Sequence, residues 1–268
     1  MPEGDTIFRL AARLRPALDG RRVVRSDLRV PQHATASLDR MRVAGHDTHG
    51  KHLLTRFEGD GGERLTLHTH LKMDGSWTVT RDGRSVPRRV QPDVRVVLAV
   101  DDGTTAWGVK VPVVELLDTR DEHRAVGFLG PDPLRGDWDP DEAVRRIRRD
   151  PAREVLEAIR DQRNLAGLGN LWVNELCFLR GVHPSTPVGD VDVPALVALA
   201  ARALRFSATV PGHYQVTTGD LRRGEQHWVV GRASRPCLRC GTLVRAVTLA
   251  PGPPPQRTYW CPRCQPRP

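Results

Sequence analysis

Apolar positions recur at helical spacing from the first turn of the chain. Ile7, Leu10, Ala11, Leu14 and Leu18 fall on one face. They predict an amphipathic helix over residues 4–18, which Pro16 kinks or ends early. The period then changes. Short β-rich runs recur over residues 21–30, 52–57, 64–70, 76–80, 94–100 and 109–117. Turns such as Gly59-Asp60-Gly61-Gly62 and Asp101-Asp102-Gly103 separate them. Regularly spaced short strands predict an antiparallel sandwich or barrel. Helical spacing returns after Gly130-Pro131-Asp132-Pro133-Leu134, a linker-like run. Asp139-Pro140-Asp141-Glu142 supplies an N-cap and a first-turn proline for a helix running to Arg149. Pro151 opens another over residues 152–162, and further helices are expected over 171–180 and about 194–206. Trp228-Val229-Val230 reads as a strand entering a cysteine-rich end.

At 268 residues the chain has room for one large domain or two ordinary ones. Lys and Arg total 41 against 32 Asp and Glu, a net charge of +9. That balance favours a polyanionic partner, nucleic acid first and an acidic membrane surface second. Arginine greatly outnumbers lysine, and its planar fork suits phosphate; a high-GC genome gives the same bias. No run approaches a membrane span and the N-terminus has no apolar signal core, so the chain reads as cytosolic. In that compartment five cysteines, four of them in the last 32 residues, fit a metal site better than disulfides.

Cys237-Leu238-Arg239-Cys240 and Cys261-Pro262-Arg263-Cys264 are two C-x-x-C pairs. Four thiolates make a closed tetrahedral site, which suits one structural zinc ion. The strand-like residues 243–249 and 258–260 suggest a hairpin between the pairs, and Arg239, Arg245, Arg257 and Arg263 bring cations to it. Cys177 reads as a buried structural thiol. The turn Gly167-Leu168-Gly169-Asn170 joins two helices; it is either a plain interhelical turn or one whose amides meet a phosphate, with Asn170 adding a donor. Lys51 follows a turn and precedes an apolar strand that would hold it in place. His68 and His70 share one strand face; a metal pair lacks a third ligand, which leaves phosphate contact or satisfied structural histidines. Met73 sits at a turn, where it packs or wedges between bases.

The chain begins Met1-Pro2-Glu3-Gly4-Asp5-Thr6, a start from which methionine is easily trimmed. Pro2 would then be a secondary amine with a carboxylate directly behind it. An α-amino group titrates at about 7.7–8.0, so a useful fraction is neutral and nucleophilic near neutral pH. Such an amine forms Schiff bases with carbonyl carbons, and a neighbouring carboxylate moves the protons.

Together these residues resemble the formamidopyrimidine-DNA glycosylase/endonuclease VIII family, over nearly the whole chain. The resemblance rests on Pro2-Glu3-Gly4, Gly50-Lys51, His70-Leu71 through Gly75, Ala166-Gly167-Leu168-Gly169-Asn170 and the terminal four-cysteine pattern. The Pro-Glu-Gly start and the short segment between Phe206 and Cys237 resemble the endonuclease VIII branch. Pro2–Thr6 and Thr217-Thr218-Gly219-Asp220 resemble its second actinobacterial type.

The resemblance implies an α+β, two-domain fold. Residues 1–126 would form a catalytic antiparallel β-sandwich with the N-terminal helix. Residues 127–232 would carry a helix-two-turn-helix, and 233–268 a β-hairpin zinc ribbon, with DNA in the cleft. It implies a monomeric cytoplasmic, nucleoid-associated bacterial enzyme of base excision repair. That enzyme removes oxidised bases, pyrimidines favoured, through a Pro2 Schiff base and cuts the strand by β/δ-elimination. By carry-over Pro2 attacks the sugar C1′ and Glu3 is acid and base. Lys51, His70, Asn170 and Arg257 hold phosphates, and Met73 fills the gap left by the flipped base. Two positions depart from the family pattern. Asp5 and Thr6 stand where many members carry a second glutamate. Gln256 stands where the zinc-hairpin arginine is usual, so the role passes to Arg257. An oxidised-purine glycosylase of the same fold and a non-catalytic DNA binder are the alternatives.

Overall fold

A computed structural model describes residues 2–250 and 256–268. The chain divides into two compact units, one of Pro2 and Thr6–Phe128, the other of Glu3–Asp5 and Leu129–Pro268.

The first unit is a sandwich of two antiparallel four-stranded sheets. One sheet has the order β1-β6-β7-β5, from β1 (Val23–Leu28), β5 (Ser76–Thr80), β6 (Val94–Val100) and β7 (Thr105–Val109). The other runs β2-β3-β4-β8, from β2 (Arg42–His49), β3 (His52–Glu58), β4 (Arg64–His70) and β8 (Val113–Asp118). Helix α1 (Gly4–Leu18) supplies Ile7, Leu14 and Leu18, each 1% exposed, to a core with Leu53, Phe57, Leu67 and Leu98. Burying one such side chain contributes roughly 1.5–3 kcal/mol. A short helix α2 (His123–Val126) follows β8.

The expected apolar runs match this sandwich, with three differences. Pro16 does not end α1 early; the helix continues to Leu18. Only one backbone bond is lost there, and Leu14 and Leu18 are buried on either side of it. The single run expected over 109–117 is two strands: Lys110 turns left-handed at φ 51 and Pro112 cannot donate to a ladder. Strand β2 escapes apolar periodicity because its buried positions include the polar His46 and Thr48. Its ladder to β3 and the contact of His46 Nδ1 with Asp19 at 2.5 Å hold it.

The second unit is helical and ends in a hairpin. It holds α3 (Pro140–Ile147), α4 (Val155–Arg160), α5 (Asn170–Arg180), α6 (Val193–Thr209), and the paired β9 (Arg245–Ala250) and β10 (Gln256–Trp260). Asp139 caps α3 through the Glu142 amide, and Asp192 caps α6 through the Ala195 amide. Ile147, Leu156, Leu168, Trp172, Val197 and Leu204 form its core. The helix expected over 152–162 is shortened to α4, because Glu154 instead bridges to Pro187. Residues 228–230 are not a strand. The amides of Trp228, Val229 and Val230 all donate to the buried Glu175 carboxylate at 2.8–2.9 Å, leaving none for a ladder.

Candidate active site and metal centre

The Glu3 side chain is fully buried at the start of α5. Its oxygens accept from the amides of Gly169 (2.6 Å), Leu171 (2.8 Å) and Trp172 (3.4 Å). A helix N-terminus carries partial positive charge and orphan N–H groups, so it suits a carboxylate. The glycine turn thus does receive an anion on its amides, but the anion is this protein's own glutamate rather than a phosphate. Two glycines make the fit possible. A Cβ on Gly4 would lie 2.8 Å from the Gly167 Cα, and one on Gly169 would lie 2.5 Å from the Glu3 Cδ. Gly167 also holds φ +98, where other residues are strained.

Asp5 is also fully buried. Its carboxylate accepts from Trp172 Nε1 (3.2 Å), Ser207 Oγ (2.6 Å) and Gln215 Nε2 (3.4 Å). Donors from α5, α6 and the following loop therefore fasten the residue two positions after Glu3. Asn170, first in α5, donates through Nδ2 to the Arg257 carbonyl at 3.0 Å, and Asn174 donates to the same oxygen at 3.3 Å. Tyr259 in turn donates its amide to Asn174 Oδ1 at 2.7 Å. The turn and the β9–β10 hairpin are stitched together here, with the Arg257 side chain exposed at a register irregularity between Gln256 and Arg257. Gln256 accepts from Arg160 at 2.7 Å.

In the sandwich unit Gly50 turns left-handed at φ 57 between β2 and β3, and Lys51 follows it. His52 then opens β3 directly opposite His70 at the end of β4. His70 Nδ1 accepts the Lys72 amide at 3.0 Å. Burial lowers the His70 pKa to about 4, with Lys72 and Lys51 adding repulsion; burial and the neighbouring imidazoles lower that of His52 to about 3. His68 is only 3% exposed and satisfied on both ring nitrogens. Met73 is 37% exposed on the turn that links β4 to β5, closed by the Gly75 amide on the Leu71 carbonyl.

The sulfurs of Cys237, Cys240, Cys261 and Cys264 lie within 4.8 Å of one another. Zinc–sulfur bonds of about 2.3 Å in a tetrahedron require sulfurs about 3.8 Å apart, so the quartet fits zinc. Cys240 and Cys261 are 3.4 Å apart, far beyond a disulfide bond of about 2.05 Å. Burial and the neighbouring sulfurs push the Cys264 thiol up to about 12, while hydrogen bonds from Thr242 draw Cys240 down to about 6. Phe178, Val229, Val244 and Tyr259 pack around the cluster. Arg239, between the first two cysteines, stacks over Phe178 at 4.4 Å and Trp228 at 5.3 Å.

Residues 1–110 match the formamidopyrimidine-DNA glycosylase N-terminal domain and residues 129–206 the H2TH domain of the same enzymes. The chain belongs to the formamidopyrimidine-DNA glycosylase/endonuclease VIII family. It is 48% identical to "Probable endonuclease 8 2" of Streptomyces coelicolor, over 99% of this chain and 94% of that protein. It is 42% identical to the "DNA-(apurinic or apyrimidinic site) lyase Nei2" of Mycolicibacterium smegmatis, over 99% of both. Its fold is similar to that of Lactococcus lactis Fpg solved with abasic-site DNA, at a TM-score of 0.77, 20% identity, and 99% and 100% coverage.

In this member of the glycosylase family, several site-building residues carry no motif. Glu175, Trp172 and Ser207 are polar or amphipathic residues whose burial only the tertiary structure shows; Asp5 lies within the N-terminal motif, but the motif does not show its burial. His52 had one available signal: it stands beside Lys51, and a β3–β4 hairpin register brings it opposite His70. Met1, whose removal frees the Pro2 amine, lies outside the described residues.

Proposed function

We propose that this protein is a bifunctional DNA glycosylase and AP lyase of base excision repair, removing oxidised bases with pyrimidines favoured. The observation that carries the reading is Glu3. A carboxylate fixed by three amides stands directly behind Pro2 in the chain and can trade protons with the amine and the departing base. Pro2 nitrogen bonds to the sugar C1′ as the glycosidic C–N bond breaks, its electron pair leaving with the base. Loss of the amine proton and opening of the sugar ring give an iminium. That iminium acidifies the 2′ proton, whose removal expels the 3′ phosphate, and a second elimination expels the 5′ phosphate. The target C1′ lies inside the duplex stack, so the nucleotide must be rotated out at a cost of a few kcal/mol.

Lys51, His70, Asn170 and Arg257 are assigned to the flanking phosphates and Met73 to the vacated space. Cys237, Cys240, Cys261 and Cys264 would hold one zinc ion. A closed set of four thiolates supplies folding energy rather than reaction chemistry. The division of labour follows residues 1–126, 127–232 and 233–268. The reading is of a monomer acting on damaged DNA in the bacterial cytoplasm. Among the described residues no helix is long and apolar enough to cross a membrane.

The test is incision of matched duplexes carrying an oxidised pyrimidine, an oxidised purine or an abasic site. The reading expects cleavage of the abasic duplex and faster excision of the pyrimidine lesion. Faster purine excision would favour the oxidised-purine enzyme, and no incision of any duplex would leave a DNA binder.

A further inference from the structure

Three side chains of the sandwich unit form a hydrogen-bonded chain at one end of the β2-β3-β4-β8 sheet. Glu115 of β8 lies opposite His68 of β4, and its Oε2 is 2.8 Å from His68 Nδ1. His68 Nε2 is 2.7 Å from Nδ1 of His52, and the two rings stack at 5.0 Å and 15°. The His52 ring meets the edge of His70 at 4.8 Å and 77°.

The donors and acceptors of this chain can be counted. An ionised carboxylate only accepts, so His68 Nδ1 carries a proton. A neutral His68 then has a bare Nε2, which accepts, so His52 Nδ1 must donate. That leaves the His52 Nε2 lone pair bare. His70 uses Nδ1 to accept the Lys72 amide, so a neutral His70 carries its proton on Nε2. Burial and the surrounding His49, His68, His70 and Lys72 disfavour charge on His52. The sheet end therefore presents one fixed N–H donor from His70 and a neutral ring beside Lys51.

We propose that Glu115 and His68 are positioning residues for the phosphate-holding edge formed by Lys51 and His70. Through His52 they fix its tautomer and the ring plane that His70 meets edge-on, while the Lys72 amide sets His70 to offer Nε2–H beside the Lys51 ammonium. The proposal rests on the DNA lyase reading for its ligand. The tautomers themselves do not.

Two measurements test it. Nitrogen-15 NMR of the histidine rings in the intact protein at neutral pH should show Nδ1–H for His52 and His68 and Nε2–H for His70. Binding of a duplex with a stable abasic-site analogue should weaken about five-fold in His68→Leu, the effect of losing one hydrogen bond. The slope against log salt should stay unchanged, because no charge is removed. His68→Gln can accept from His52 and donate to Glu115, and should restore affinity to about twofold of wild type. Glu115→Ala, at a half-exposed position, should free the His68 tautomer and weaken binding likewise if His68→Leu does not fold. An Nε2–H tautomer on His52, or binding unchanged in both Glu115→Ala and His68→Leu, overturns the proposal. A wild-type protein that ignores abasic duplex overturns the DNA reading, and the phosphate role with it, whatever the tautomers.

Discussion

Replacing Gly169 with alanine isolates the role of the Glu3 carboxylate. Gly169 has φ −125 and ψ −164, extended backbone that alanine adopts freely. The added Cβ, however, would stand 2.5 Å from Glu3 Cδ and 2.6 Å from Oε1. Glu3 is fully buried, and its carboxylate must shift against the three amides that hold it to relieve that contact. A hydrogen bond to a charged group contributes about 1.5–3 kcal/mol. Losing the placement secured by one of them lowers the rate about 10- to 150-fold. Single-turnover excision of a damaged base at saturating enzyme reads this directly, with abasic-duplex binding measured alongside. Excision should fall by that factor while binding stays within about threefold. Gly136→Ala, where an added Cβ meets nothing within 4 Å, is the control and should change neither. Wild-type excision in Gly169→Ala, or an equal loss of binding and excision, would refute the reasoning.

Three further outcomes are expected. Lys51→Ala should weaken DNA binding across sequences and reduce the magnitude of the log-affinity against log-salt slope by about 0.9; an unchanged slope would remove Lys51 from the phosphate set. Metal chelation, or Cys261→Ser, should lower the melting temperature and weaken DNA binding, since Tyr259 of the hairpin packs with the cysteine cluster; unchanged affinity in metal-free protein would contradict this. Acid should destabilise the fold through His52 and His70. Their folded pKa values, about 3 and about 4, lie below the unfolded value of 6.5, so the unfolded chain binds protons first. Stability is therefore complete above about pH 6.5 and is lost as pH falls towards 4, by up to about 1.4 kcal/mol per pH unit for each ring. His52→Gln should lose less stability than wild type between pH 6.5 and 4.5 in thermal unfolding; equal losses would show that His52 is not the titrating group.

Much of the fold is legible because apolar spacing carries it. The Ile7–Leu18 face, the runs of β3, β4 and β6, and the capped starts of α3 and α6 each match a local rule. What local rules miss is held by polar burial. Strand β2 is fixed by its ladder and by His46 on Asp19 rather than by apolar alternation. Residues 228–230 look like a strand because they are apolar, yet a single buried Glu175 takes all three amides. The site divides in the same way. Spacing alone marks the four cysteines, and short motifs mark Pro2, Glu3, Lys51 and the glycine turn. Asp5 reads only as a departure from the family's second glutamate until Trp172, Ser207 and Gln215 converge on it. Arg160, which reaches Gln256, comes from 96 residues earlier in the chain, a distance no sequence pattern spans.

The central claim is that the amine of Pro2 is the nucleophile. Borohydride reduction during reaction with an abasic-site duplex, followed by peptide mass mapping, tests it most directly. Protein with its native N-terminus exposed should give a covalent adduct on the peptide beginning at Pro2. Protein carrying extra residues ahead of Pro2 should bind the duplex and give none. An adduct on Lys51 or another lysine, or equal trapping by the extended protein, would contradict the account.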